Sequence, residues 1–184
     1  MTLLLQYTLI FASVLILVAL GGCFSEHSGV INIGLEGIMV MGALGGALMM
    51  KYLPDSTAAP LVILLVVLAS VVVGMLFSLL LGVAAIHFNA DQTLVGTALN
   101  LLGPAAAVVI VRAINMAENP DNVSSTVAYK TAKKAFLIRF GKFEFSWFML
   151  FALLILIASY IVLYKTKFGL RLMACGEHPQ AADS

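Results

Sequence analysis

Residues 26 to 37, EHSGVINIGLEG, set two carboxylates, an imidazole, an amide and three glycines between two apolar runs. A carboxylate placed in lipid without a partner is costly, and glycines at 29, 34 and 37 let backbones approach closely or a helix unwind. The pattern predicts a broken or re-entrant helix lining a cavity, with an ordinary interfacial loop as the alternative. A second polar group, ADQTLVGTALN at 90 to 100, precedes Gly103-Pro104. On a helix Thr93, Thr97, Asn100 and Pro104 fall four, three and four residues apart and form one stripe. Uncharged hydroxyls and an amide suit hydrogen bonding to a neutral polar solute, although membrane-helix threonines often bond the preceding turn instead. Both readings stay open.

The third group is KTKFGLRLMACGEHPQAADS, residues 165 to 184. It is a short basic, amphipathic segment beginning where the last apolar run ends, and Gly176-Glu177-His178-Pro179 predicts a turn within it. Lys165, Lys167 and Arg171 just beyond a span are the pattern of a cytoplasmic flank. Such a segment suits a grip from outside the membrane.

The elements that must position these groups follow from composition. With 62% hydrophobic and 10% charged residues among 184, the chain has too little polar surface to cover a water-soluble globule. Its mean hydropathy is +1.08. A formal net charge of +1 gives no global attraction to nucleic acid. Cys23 and Cys175 stand far apart and read as free thiols rather than a disulfide framework.

The fold class expected is all-α: a polytopic transmembrane bundle of about five to six spans, one of them broken or re-entrant. A crossing helix needs about 20 apolar residues. Spans are expected near Leu3–Gly22, Leu35–Met50, Pro60–Ile86, Gln92–Val111 and Phe145–Tyr164, the second being short. Trp147 near one end of the fifth, and Tyr160 and Tyr164 near the other, suit interfacial anchors. Leu20-Gly21-Gly22-Cys23 resembles a lipoprotein cleavage box, but the basic n-region of a signal peptide is missing, so a retained helix is expected. Residues 1–184 read as one transmembrane domain, with 112–144 an extramembrane loop that has room for a surface helix and 165–184 a cytoplasmic coupling segment. With the tail inside, five crossings place the basic loop containing Lys130, Lys133, Lys134, Arg139 and Lys142 outside, against the positive-inside tendency.

SEHSGVINIGLEGIMVMGA, ADQTLVGTALN and TKFGLRLMACGEHPQAAD, in this order, resemble the permease subunits of bacterial ABC importers for nucleosides and simple sugars. These belong to the ribose and branched-chain amino acid permease superfamily and partner basic-membrane-protein-type binding lipoproteins. The resemblance implies that Asn32, Glu36, Thr93, Thr97 and Asn100 line or border the translocation path. It also implies that Gly169, Gly176, Glu177, His178, Pro179, Ala181 and Ala182 shape the loop that docks on a nucleotide-binding subunit. Family members commonly carry arginine at the position of His27 and asparagine at that of His178, so neither histidine is assigned an essential role. Family permeases are longer, so the chain reads as truncated within the coupling loop.

The partners implied are an ABC ATPase subunit, a second permease subunit forming a heterodimer, an extracytoplasmic substrate-binding lipoprotein and membrane lipid, with no nucleic acid. The chain has no Gly-x-x-x-x-Gly-Lys-Ser/Thr phosphate loop, so ATP and Mg are expected on the partner ATPase, with no cofactor on this chain. The expected function is alternating access in the bacterial cytoplasmic membrane, with branched-chain amino acid transport or a non-transporting assembly role as alternatives. An intramembrane enzyme built on Glu26, His27, Glu36, His87 and Asp91 lacks a His-Glu-x-x-His or Gly-x-Ser-x-Gly pairing.

Overall fold

The computed structural model describes residues 2–128, 137–140 and 143–182. In chain order they form α1 (Thr2–His27), α2 (Leu35–Tyr52), α3 (Ala59–His87), α4 (Gln92–Glu118), β1 (Leu137–Phe140), β2 (Phe143–Ser146), α5 (Trp147–Lys165), α6 (Lys167–Glu177) and α7 (Pro179–Ala182). Helix dominates, as expected for a polytopic bundle. The described residues depart from it in one hairpin, with Leu137 opposite Ser146 and Phe140 opposite Phe143.

Among the described residues four helices, α1, α3, α4 and α5, are long and apolar enough to cross a membrane. The best window of α3 reaches a mean hydropathy of 3.0, and its outward Leu64, Leu68, Met75, Leu76 and Leu79 are exposed. In a bilayer such a face meets lipid. The chain is a multi-pass membrane protein. The second expected span is present as α2, but its 18 residues rise only about 27 Å against a hydrocarbon core of about 30 Å. Glu36 and Lys51 lie near its two ends and four glycines lie inside it, and α2 is not among the helices long and apolar enough to cross.

Two boundaries differ from expectation. Helix α4 does not stop at Val111 but continues through Arg112 to Glu118, so the non-helical segment begins later than 112. Asn119 ends it because the following Pro120 disfavours helical backbone in the residue before it. The fifth span starts at Trp147, not Phe145, because Phe143–Ser146 pairs as strand and the Ser146 hydroxyl accepts from Phe148 N–H at 3.3 Å. Residues 129–136 and 141–142 of the segment with room for a surface helix lie outside the described residues. Lys130, Lys133, Lys134 and Lys142 lie outside the described residues.

The chain divides into two compact units, residues 1–32 with 136–184, and residues 33–135. In the first, α1 packs on α5, with Ala152, Ser159 and Leu163 of α5 and Ser13 of α1 buried. In the second, α2 packs on both α3 and α4. A Cβ at Gly42 would lie 3.2 Å from Ser70 O and one at Gly46 would strike Ser70 Oγ, so the Gly-xxx-Gly face of α2 makes a close contact with α3. Phe77, Leu81 and Leu99 form one buried apolar cluster of this unit, with Ile38, Met41 and Val95 against it.

Candidate functional site

The second unit is organised around Asn100. Gly34, the residue before α2, offers no side-chain cap, so the first N–H groups of that helix need another acceptor. Asn100, 63 residues away on α4, supplies it: Gly37 N–H donates to Asn100 Oδ1 at 2.8 Å. The same amide donates from Nδ2 to Ile33 O at 2.7 Å. One side chain thus holds both the start of α2 and the strand of chain leading into it. It can do so because the backbones touch: a Cβ at Gly103 would sit 2.8 Å from Gly37 Cα, and one at Gly96 would sit 2.9 Å from Gly34 N. Asp91 starts α4, its carboxylate accepting from Thr93 N–H at 2.8 Å and Leu94 N–H at 3.1 Å.

The polar stripe therefore separates into different jobs. Thr97 Oγ1 donates to Thr93 O at 2.8 Å, back to its own helix. Thr93 and Thr97 are exposed, as is Glu36 in the first turn of α2, where a carboxylate is favoured by the helix dipole. Helix α4 runs on through Pro104. Asn32 Oδ1 is buried and accepts no hydrogen bond among the described residues.

The first unit brings together two groups that are 147 positions apart, Gly29 and Gly176, since a Cβ on Gly176 would lie 2.5 Å from His27 O and 2.9 Å from Gly29 N. Gly29 has φ +80°, the left-handed turn that ends α1. That turn is stiffened by Ser25 Oγ donating to Val30 O at 2.6 Å and Ser28 Oγ to Ser25 O at 2.6 Å. His27 Nδ1 lies 2.7 Å from Cys23 O, and its Nε2 lies 3.4 Å from the Tyr164 hydroxyl, so the end of α1 is also tied to α5.

At its other end α6 turns sharply off α5. Thr166 Oγ1 donates to Val162 O at 2.6 Å and accepts from Gly169 N–H at 3.4 Å, while a Cβ at Gly169 would strike Leu163 O. The expected turn at Gly176 to Pro179 is narrower than its four residues: Gly176 and Glu177 close α6, His178 alone breaks the helix, and Pro179 starts α7. The residue before a proline is driven out of the helical region, which puts the break at 178. Glu177, His178 and Pro179 are exposed, and Ala181 and Ala182 end the short α7.

Sequence reasoning passed over Lys51, Asn115 and Glu118. Lys51 Nζ pairs with Glu118 Oε1 at 2.8 Å and donates to Asn115 Oδ1 at 3.3 Å. The available signal was the helical spacing of Asn115 and Glu118, three apart and hence on one face.

No solved structure matches the chain. Among curated proteins, the guanosine ABC transporter permease protein NupQ of Bacillus subtilis is 42% identical over 184 residues, covering 96% of this chain and 56% of that protein. The nucleoside ABC transporter permease protein NupC of Lactococcus lactis is 35% identical over 180 residues, again 96% and 56%. A putative glucose ABC transporter permease protein, TsgC13 of Haloferax volcanii, is 28% identical, covering 98% of this chain and 54% of its own length. The chain thus spans little more than half the length of these relatives. A match across residues 4–184 places it by family: the chain belongs to the branched-chain amino acid transport system / permease component family.

Proposed function

We propose that this chain serves as a membrane subunit of an ABC importer that moves a nucleoside or simple sugar, driven by a separate ATPase that holds ATP and Mg. The observation that carries this reading is the seating of α6. Its first turn abuts the Leu163 carbonyl and its last abuts His27 and Gly29, while Glu177, His178 and Pro179 beyond it stay exposed. A short helix fixed at both ends by backbone contacts moves as a rigid piece, because no flexible side chain lies between it and the helices it touches. Force applied at Glu177 to Pro179 therefore reaches the end of α1 without loss in rotamer changes. The segment 165–184 is assigned as the coupling segment of a single permease domain on this basis, with Ala181 and Ala182 at the ATPase surface.

From Gly29 the chain continues through Asn32 to Ile33, the residue whose carbonyl Asn100 holds. Within this reading Asn100 positions α2, and Asn32, Glu36, Thr93 and Thr97 border the solute path. A neutral polar solute fits hydroxyl and amide groups, which both donate and accept. Guanosine in the name of one relative, and nucleoside in that of another, support guanosine as the first solute to try. A second permease, an extracytoplasmic binding lipoprotein and placement in a bacterial cytoplasmic membrane complete the proposed assembly, which works by alternating access.

The test is deletion of residues 176–179 in the assembled transporter. Membrane insertion should persist while ATP hydrolysis no longer supports guanosine uptake. Uptake unchanged by the deletion rejects the coupling assignment, and uptake of leucine in place of guanosine by the unaltered assembly rejects the substrate class.

A further inference from the structure

Helix α6 lies across the ends of two spans of its own unit. His27 Nε2 is 3.4 Å from the Tyr164 hydroxyl, so α1 and α5 end at one level. The first turn of α6 meets α5 where a Cβ at Gly169 would strike Leu163 O, and its last turn meets α1 where one at Gly176 would lie 2.5 Å from His27 O. From Gly169 to Gly176 a helix rises about 10 Å, close to the roughly 8–10 Å between the axes of packed helices. Helix α6 therefore runs crosswise to both spans, in the plane of the bilayer. Tyr160 and Tyr164, exposed on the last turns of α5 with ring centroids 5.3 Å apart, mark this level as the boundary between lipid and water.

The seated side of α6 is that of the buried Gly169. At about 100° per residue, Phe168 and Leu170 emerge on the two flanks, and Lys167 and Arg171 stand furthest from the seated side. All four are exposed. Apolar flanks beneath an outer pair of cations repeat the order of a phospholipid, acyl chain beneath headgroup phosphate. Lys167 and Arg171 are one turn apart, where like charges repel until an anion lies between them. Lys165 adds a third exposed cation at the end of α5. No ion pair joins any of the three to another described residue.

We propose that this face of α6 binds the headgroups of anionic phospholipids, which hold the helix down on the ends of α1 and α5. An acidic protein surface would meet the charges, but it would give Phe168 and Leu170 no apolar surroundings at the depth where they emerge. The site goes beyond the transport reading and does not depend on which solute is moved.

A fluorophore on Leu170→Cys, in a Cys23→Ser and Cys175→Ser background, tests it in the assembled transporter. The transporter is placed in phosphatidylcholine nanodiscs carrying increasing fractions of spin-labelled phosphatidylglycerol or, in parallel, spin-labelled phosphatidylcholine. Each cation near the surface is worth about fivefold in affinity for an anionic lipid, so the two on α6 should make quenching half-complete at about a twentyfold lower fraction of phosphatidylglycerol. Lys167→Gln with Arg171→Gln should bring the two curves together, while Lys167→Arg with Arg171→Lys should keep them apart. Sodium chloride at about 0.5 M should narrow the gap in the protein that retains its cations. If the double glutamine variant does not fold, Arg171→Gln alone and the salt series decide. Equal quenching by the two lipids, a preference untouched by salt or by the folded glutamine variants, or a preference that appears only once the ATPase is removed would each overturn the proposal, the last by giving the face to that subunit. A preserved lipid preference without guanosine uptake would count against the transport reading and leave the lipid site standing.

Discussion

Replacing Asn100 by alanine removes two hydrogen bonds that join α4 to the start of α2, those to Gly37 N–H and Ile33 O. Gly37 is buried, so its amide loses an acceptor without gaining water, at a cost of about 1–3 kcal/mol. Ile33 is exposed, and its carbonyl finds water, so the second loss adds only about 0.5–1 kcal/mol. The sum is about 1.5–4 kcal/mol. Thr97→Ala is the matched control one turn away, because its hydroxyl bonds only its own helix; a change within about 0.5 kcal/mol is expected there. Reversible unfolding in detergent micelles titrated with SDS measures both. Stability of the Asn100→Ala variant equal to that of Thr97→Ala would refute the clamp. A raised KM for uptake with unchanged stability would show that Asn100 instead holds solute.

Gly103→Ala, whose Cβ meets Gly37 Cα at 2.8 Å, should push α2 and α4 apart and lower stability by about 1–3 kcal/mol in the same micelle titration. Gly176→Ala sets a methyl against His27 O; guanosine uptake should fall severalfold while membrane insertion stays at the unaltered level. Glu118→Gln strands the nearly buried Lys51 ammonium and should cost about 1–3 kcal/mol, whereas the double change with Lys51→Met should cost less, because no unpaired charge remains. Asp91→Ala removes the cap of α4 and should lower stability by about 1 kcal/mol by the same titration.

Much of the helical order was legible because it rests on local properties. Charge-free apolar runs marked α1, α3 and α5. The family was legible in three ordered motifs. Boundaries were less so: Arg112 reads as the end of a span, yet a charged residue does not end a helix, and only Asn119 before Pro120 does. The pairing of 137–140 with 143–146 is a contact between neighbouring strands, which apolar periodicity in such short stretches cannot separate from helix. The division of labour in the Thr93 to Asn100 stripe was not legible at all. Thr97 and Asn100 are both uncharged polar residues on one face, and only the position of Gly37 shows that one bonds its own helix while the other caps another. The meeting of Gly176 with Gly29, and that of Lys51 with the Asn115 and Glu118 face of α4, are long-range juxtapositions; the spacing of Asn115 and Glu118 marks a shared face but not the lysine that meets it.

Cys175, exposed beside Gly176, offers a direct probe of whether a motor holds the coupling segment. In a Cys23→Ser background, a maleimide–benzophenone reagent attached at Cys175 and photolysed in the assembled transporter should link this chain to the ATPase subunit. Photolysis that links the chain only to lipid or to another permease, with Cys175 fully labelled and the ATPase present, would contradict the account.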